Sequence, residues 1–168
     1  MINLLDYSKK LFASLLVVIA LPTLALAGGH AGGGLDSGDF VGITFWIISM
    51  AMVASTVFFI VERDRVSAKW KTSLTVSALV TLIAAVHYFY MRDMWVATGE
   101  SPTVFRYIDW LLTVPLLMIE FYFILAAVTT VSVGVFWRLL VGTIVMLVGG
   151  YMGEAGMVSV MTGFIVGM

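Results

Sequence analysis

Arg106-Tyr107-Ile108-Asp109-Trp110-Leu111-Leu112-Thr113-Val114-Pro115-Leu116-Leu117-Met118-Ile119-Glu120 is the stretch on which the reading of this chain turns. It lies inside an apolar run, Val104 to Val128, yet it holds an arginine and two carboxylic acids. From Arg106 to Asp109, Thr113, Leu117 and Glu120 the steps are three, four, four and three residues. All five positions therefore share one face of an α-helix. Charged groups inside a bilayer are costly and usually mark a proton or ion path. At ~1.5 Å of rise per residue, Asp109 and Glu120 stand about 16 Å apart along the axis, roughly half the hydrocarbon thickness. That is too far for direct proton transfer. Something has to lie between them, beside Thr113 and Leu117.

The rest of the chain supplies the membrane. Of 168 residues, 61% are hydrophobic and 11% charged, and the mean hydropathy is +1.08. A soluble domain carries about 25% charged residues, so the class is integral membrane protein, all-α. A net charge of −1 and the lack of a basic stripe give no reason to expect nucleic acid as a partner. Without cysteine there is no disulfide, thiolate metal site or cysteine nucleophile. His30 and His87 are the only histidines, and no carboxylates cluster with them suitably for zinc, so no metal is expected.

Four runs are long enough to span, at about 40–61, 74–95, 104–128 and 135–151, and a fifth starts from 156. Ahead of them, Lys9 and Lys10 precede an apolar stretch that closes with Ala25-Leu26-Ala27. This pattern reads as a signal peptide over residues 1–27, a retained helix being the alternative. Residues 28–168 form the membrane domain. Arg63, Arg65, Lys69 and Lys71 crowd the first loop between spans, whereas the next holds Arg92 with Asp93 and Glu100. By the positive-inside rule the first loop is cytoplasmic and the mature N-terminus is outside. Asp109 then lies in the outer half of the third span and Glu120 in the inner half.

Each polar group also has a plainer reading. Asp109 is one turn from Arg106, so an ion pair or a water-bridged pair between them is the default arrangement. Glu120 has no cation at i±3 or i±4, and burial would keep such an acid protonated. One carboxylate ready to accept and another holding a proton suits a relay better than a scaffold. The depth of His87 in the second span matches that of Asp109 to within a turn, which makes contact feasible. An interhelical hydrogen bond is the simpler role for it. Pro115 is expected to bend the third helix near the midplane. Glycines 142, 149 and 150 allow close packing against a helix or a flat ligand. Trp110, Tyr107, Tyr122 and Met146 are candidate pocket residues or ordinary core. Glu154, just past the fourth run, reads as a solvated loop carboxylate, with a release-path role as the minority case.

The segment from Arg106 to Leu117 resembles the third helix of the microbial rhodopsins, and with Glu120 it looks most like the proteorhodopsins. The loop from Glu62 to Lys71 and the segment from Gly150 to Gly156 share that likeness, which covers Gly28 to about Gly156. The resemblance implies a bacteriorhodopsin-like seven-helix bundle holding all-trans retinal on a lysine Schiff base. It implies a light-driven outward proton pump, a transporter and not an enzyme, in a bacterial inner membrane. By the same resemblance Asp109 is the proton acceptor and counterion, Glu120 the donor, His87 the residue that raises the acceptor's pKa, and Arg106 part of the counterion network. Trp110, Thr113, Leu117 and Met146 match positions beside the retinal, and a leucine at 117 matches the green-absorbing subgroup. Trp46 matches a position at a protomer contact, which suggests a ring-shaped homo-oligomer, a pentamer or hexamer.

One departure bounds this reading. The four lysines are Lys9, Lys10, Lys69 and Lys71, none of them within a mature span. The expectation is that the 168 residues are a fragment of a longer protein whose last helix supplies the retinal lysine. A photosensor signalling through a partner and a small membrane protein without a chromophore are the alternatives.

Overall fold

Among the described residues five α-helices follow one another between residues 40 and 167, and there is no strand. The structure, a computed structural model, describes Lys9 and residues 36–168. The leader assigned to residues 1–27 lies, but for Lys9, outside the described residues. The helices are α1 (Phe40–Glu62), α2 (Lys71–Thr98), α3 (Thr103–Val128), α4 (Val133–Glu154) and α5 (Val160–Gly167), with a 3₁₀ turn, Ala68–Trp70, leading into α2. The first four are long and apolar enough to cross a membrane. The chain divides into two units at the loop between α2 and α3, Met1–Glu100 and Ser101–Met168.

Helix ends follow local chemistry. Gly99 stops α2 in the left-handed region (φ +70°), its N–H bonded to the Trp95 carbonyl at 2.7 Å. After α4, Gly156 (φ +74°) turns the chain, and the Ser159 side chain caps α5 by accepting from the Thr162 N–H. The fifth helix therefore starts at Val160, four residues later than hydropathy alone places it.

In the first unit, α1 and α2 meet along small residues. Ser49, Val53 and Thr56 of α1 are buried, as are Ala78, Ala84 and Ala85 of α2. Lipid tails are as apolar as leucine, so helices in a bilayer associate through close packing and hydrogen bonds. The Thr56 and Thr81 hydroxyls lie 2.8 Å apart across the seam. Each also reaches a carbonyl of its own helix, Met52 and Ser77 respectively, at 2.9 Å. A hydroxyl has one proton, so one threonine donates across while the other donates to its own backbone.

The start of α1 is tied to the end of α2. Asp39 caps α1, its Oδ1 accepting from Gly42 N–H at 2.9 Å and from the Trp95 indole N–H at 3.1 Å. Any Cβ at position 42 would overlap the capping carboxylate, which explains the glycine there. The Gly42 N–H, and after it the Trp95 indole, hold the Asp39 carboxyl below its usual range. A depressed folded-state pKa gives stability that is present above about pH 3.9, the unfolded value, and lost as pH falls through the folded one. Wild-type protein in detergent should thus lose more thermal stability between pH 6 and pH 3 than Asp39→Asn, which keeps a cap but not the charge. Equal losses would show that this carboxylate does not link folding to pH.

In the second unit α4 lies against both α3 and α5. Gly149 and Gly153 on α4 meet Gly163 and Gly167 on α5 at backbone distance, a paired small-xxx-small seam. On its α3 side, α4 offers Gly150, where a Cβ would lie 3.1 Å from the Tyr107 hydroxyl. Gly142 instead faces open space. Of the three glycines singled out in the sequence, two serve close packing and one does not. Pro115 does not stop α3, which continues to Val128, although the Leu111 carbonyl loses its helical donor there.

Candidate functional site

Asp109 and Thr113 are the two buried residues of α3, exposed by 3% and 4%, in a helix otherwise made mostly of apolar side chains. Large apolar residues on the same helix, Leu111, Leu112 and Phe121 among them, are about half exposed. This is the burial pattern of a membrane helix, which turns its polar stripe inward and its apolar surface to lipid. Thr113 donates its hydroxyl to the Asp109 backbone carbonyl at 2.9 Å, fixing the rotamer one turn below the carboxylate. Glu120 is half-buried, and Leu117 is 41% exposed.

Arg106 reaches a carboxylate that the sequence does not bring to it. Its Nη2 is ion-paired with Glu154 Oε1, and its guanidinium lies 5.3 Å from the centre of the Trp110 ring. The Thr103 hydroxyl donates to the same Glu154 oxygen at 3.4 Å, and the Tyr107 hydroxyl is also directed at this carboxylate. Glu154 is thus the last residue of α4 and not in the loop; it is exposed and accepts from a cluster on α3. A carboxylate at a helix C-terminus is disfavoured by the helix dipole, and the arginine offsets that cost. The cause of the juxtaposition is Gly150. Without a side chain there, Tyr107 settles against α4 and packs edge-on to Tyr151 at 5.2 Å and to Trp110 at 5.0 Å. Glu154, one turn beyond Gly150, then faces Arg106. A signal did exist in the sequence, since Gly150 and Glu154 are i and i+4 on one helix face.

The other candidates separate. Tyr122 packs on Phe136, with ring centres 5.3 Å apart, towards the opposite end of α3 from Tyr107 and Trp110, so these aromatic residues do not form one pocket. Met146 on α4 is 41% exposed. His87, in the first unit, has Nδ1 3.0 Å from the Ile83 carbonyl. A carbonyl only accepts, so Nδ1 carries a proton. A cleft of about 220 Å³ between α3 and α4 is lined by Val104, Tyr107, Ile108, Leu111, Leu147, Val148 and Tyr151. At about 100° per residue its α3 residues lie on the side opposite Asp109, so the cleft is not part of the carboxylate stripe.

Apolar helices long enough to cross a membrane, one of them carrying a buried aspartate–threonine pair and a glutamate further along, define a class of membrane protein with charged groups inside a span. Residues 39–168 match the model of the bacteriorhodopsin-like protein family, and the chain belongs to that family. It is 63% identical over 158 residues to the green-light absorbing proteorhodopsin of Gamma-proteobacterium EBAC31A08, covering 94% of this chain and 62% of that protein. The crystal structure of blue light-absorbing proteorhodopsin from Med12 superposes with a TM-score of 0.70 at 58% identity, over 77% of this chain and 62% of that one. Xanthorhodopsin, a light-driven ion pump with dual chromophore, superposes with a TM-score of 0.58 at 34% identity, over 68% of this chain and 51% of that one. The chain thus spans 62% of the length of the proteorhodopsins it matches. It is a multi-pass membrane protein.

Proposed function

We propose that the complete protein is a light-driven outward proton pump built on all-trans retinal in a seven-helix bundle. The observation that carries this reading is the polar stripe of α3, with Asp109 and Thr113 its two buried residues and Glu120 three turns further on. The relatives support it: two are proteorhodopsins and a third is a light-driven ion pump.

The residues present fit the chromophore. A cationic polyene needs apolar surface along its length and a buried anion at its charged end. On α3, Trp110 and Leu117 provide the first and Asp109 the second. On α4, Met146 is partly exposed and neighbours Gly142, which leaves open space beside it. Bound retinal would supply a cationic nitrogen and a light-driven change of shape that switches which carboxyl group that nitrogen faces. The lysine that attaches it belongs to a part of the complete protein outside these 168 residues.

Within this chain the roles divide by depth. Asp109 is the anion that accepts a proton, and His87 raises its proton affinity by hydrogen bonding. Glu120 holds a proton on the other side and gives it up. Their separation of about 16 Å prevents a direct short circuit between the two. Arg106 contributes positive charge near the acceptor, and Thr113 and Leu117 shape the space between the carboxyls. The first loop is cytoplasmic, residues 1–27 are a cleaved leader, and the protomers form a ring in the bacterial inner membrane.

Illuminating cells that express the complete gene, in unbuffered medium, tests the proposal. Acidification abolished by an uncoupler is the expected result, and unchanged pH would overturn it in favour of a sensor. Glu120→Gln should leave the resting colour nearly unchanged, because the residue is remote from the chromophore's charge. Recovery of that colour after a flash should slow by about a hundredfold, the lower end of the range for losing a positioned proton-transfer group. A large colour change with normal recovery would remove Glu120 from the donor role.

A further inference from the structure

The cleft between α3 and α4, about 220 Å³ in volume, is walled by apolar side chains apart from two phenols, Tyr107 and Tyr151. Along α3 it runs from Val104, one residue into the helix, to Leu111, about 10 Å further on. Along α4 it runs from Tyr151 back to Leu147, which lies about 10 Å from the helix end at Glu154. One leaflet supplies about half of the roughly 30 Å hydrocarbon thickness. The cleft therefore begins near the level of the helix ends and stays within a single leaflet. Val104, Ile108, Leu111 and Val148 on its walls are about half exposed, while Leu147 is buried at its floor. Because its α3 residues point away from the buried Asp109, the cleft opens on the outward surface of membrane-spanning helices.

We infer that this cleft is a binding groove for one acyl chain of a membrane phospholipid, which enters from the N-terminal end of α3. Size argues against a further helix as the occupant. One turn of a helix, about 10–12 Å across and 5.4 Å long, takes up on the order of 400 Å³ or more. Such a helix could cover the groove but not enter it, whereas a file of methylenes one carbon wide can. The two tyrosines fit the same occupant. Each has an apolar ring and a polar tip, the amphipathic form found where headgroups meet acyl chains. Tyr107 and Tyr151 both stand within about 6 Å of a helix end, at that boundary. A chain held in the groove touches wall on several sides, and those dispersion contacts favour it over a chain in bulk lipid. The inference rests on the membrane location of α3 and α4 alone and does not require light-driven transport.

The test uses the complete protein in phosphatidylcholine vesicles that include a small share of phosphatidylcholine carrying a diazirine in its acyl chain. After irradiation, mass spectrometry of the digested protein shows where the tail has attached. Leu111 and Leu112 are adjacent leucines of nearly equal exposure, and of the two Leu111 alone lines the cleft. Labelling at Leu111 should exceed that at Leu112 by about threefold or more, the ratio that a preference of roughly 0.65 kcal/mol produces. Val148→Phe, which fills the groove from α4, should remove the excess and leave Leu112 unchanged. Should that variant not fold, Val104→Phe fills the same groove from α3. Equal labelling of the two leucines in the wild type, or an excess that survives in the filled groove, would overturn the inference. So would a Leu111 that takes no label, the result expected if a second copy of the chain or a segment beyond residue 168 covers the cleft.

Discussion

Asp109→Asn in the complete, retinal-bound protein is expected to move the visible maximum to longer wavelength and to abolish light-driven acidification. Both follow from one charge. An anion beside a cationic nitrogen stabilises the ground state, in which positive charge is localised there, more than an excited state in which that charge has spread along the polyene. Two unit charges about 4 Å apart interact by roughly 4 kcal/mol at an effective dielectric near 20. Removing the anion raises the ground state by a sizeable part of that energy and narrows the gap. Transport stops because asparagine has no proton-accepting oxygen of suitable basicity. The substitution is nearly isosteric, and Thr113 bonds the backbone carbonyl of residue 109, not its side chain, so the helix should stay intact. Unaltered transport in this variant would remove Asp109 from the acceptor role.

The second large effect is expected at a residue with no side chain. A Cβ on Gly163 would lie 2.8 Å from the Gly149 carbonyl oxygen and 2.8 Å from the Gly153 Cα. Both are backbone atoms of α4, which cannot rotate away as a side-chain tip can. Alanine gains roughly 0.8–1.0 kcal/mol over glycine in helix propensity. Separating two packed helices costs more, on the order of 1–3 kcal/mol or above for an over-packed site. Gly163→Ala should therefore destabilise the α4–α5 pair on balance. Gly142→Ala, whose Cβ would meet nothing within 4 Å, should stabilise the protein by about the propensity gain. Unfolding by denaturing detergent in mixed micelles would read both signs. Two changes of the same sign would contradict the seam.

These two cases differ in how far the sequence leads. Asp109, Thr113 and Glu120 are recognisable before any fold is known because helical periodicity is a one-dimensional property. Charged residues in an apolar run at steps of three and four have few explanations in a bilayer. The glycine seam is harder to read. Gly149 stands out as one of several glycines, but the partner it meets, Gly163, is set by the turn at Gly156 and the cap at Ser159. Helix starts share this difficulty, since hydropathy runs on through residues that a left-handed glycine has already placed in a turn.

The Arg106–Glu154 pair is the clearest case of a contact that spacing does not reveal. One turn separates Arg106 from Asp109, whereas 48 residues separate it from Glu154, so the nearer carboxylate is the natural choice from sequence. Proximity along a helix does not decide which of two carboxylates a long, flexible side chain takes. The membrane class, the number of helical runs and the polar face of α3 follow from composition and period, which are local quantities. Which helix lies beside which face of α3, and hence that Glu154 reaches the arginine, depends on Gly150 making room for Tyr107. That fit exists once two helices are packed together, and no spacing along a single one contains it.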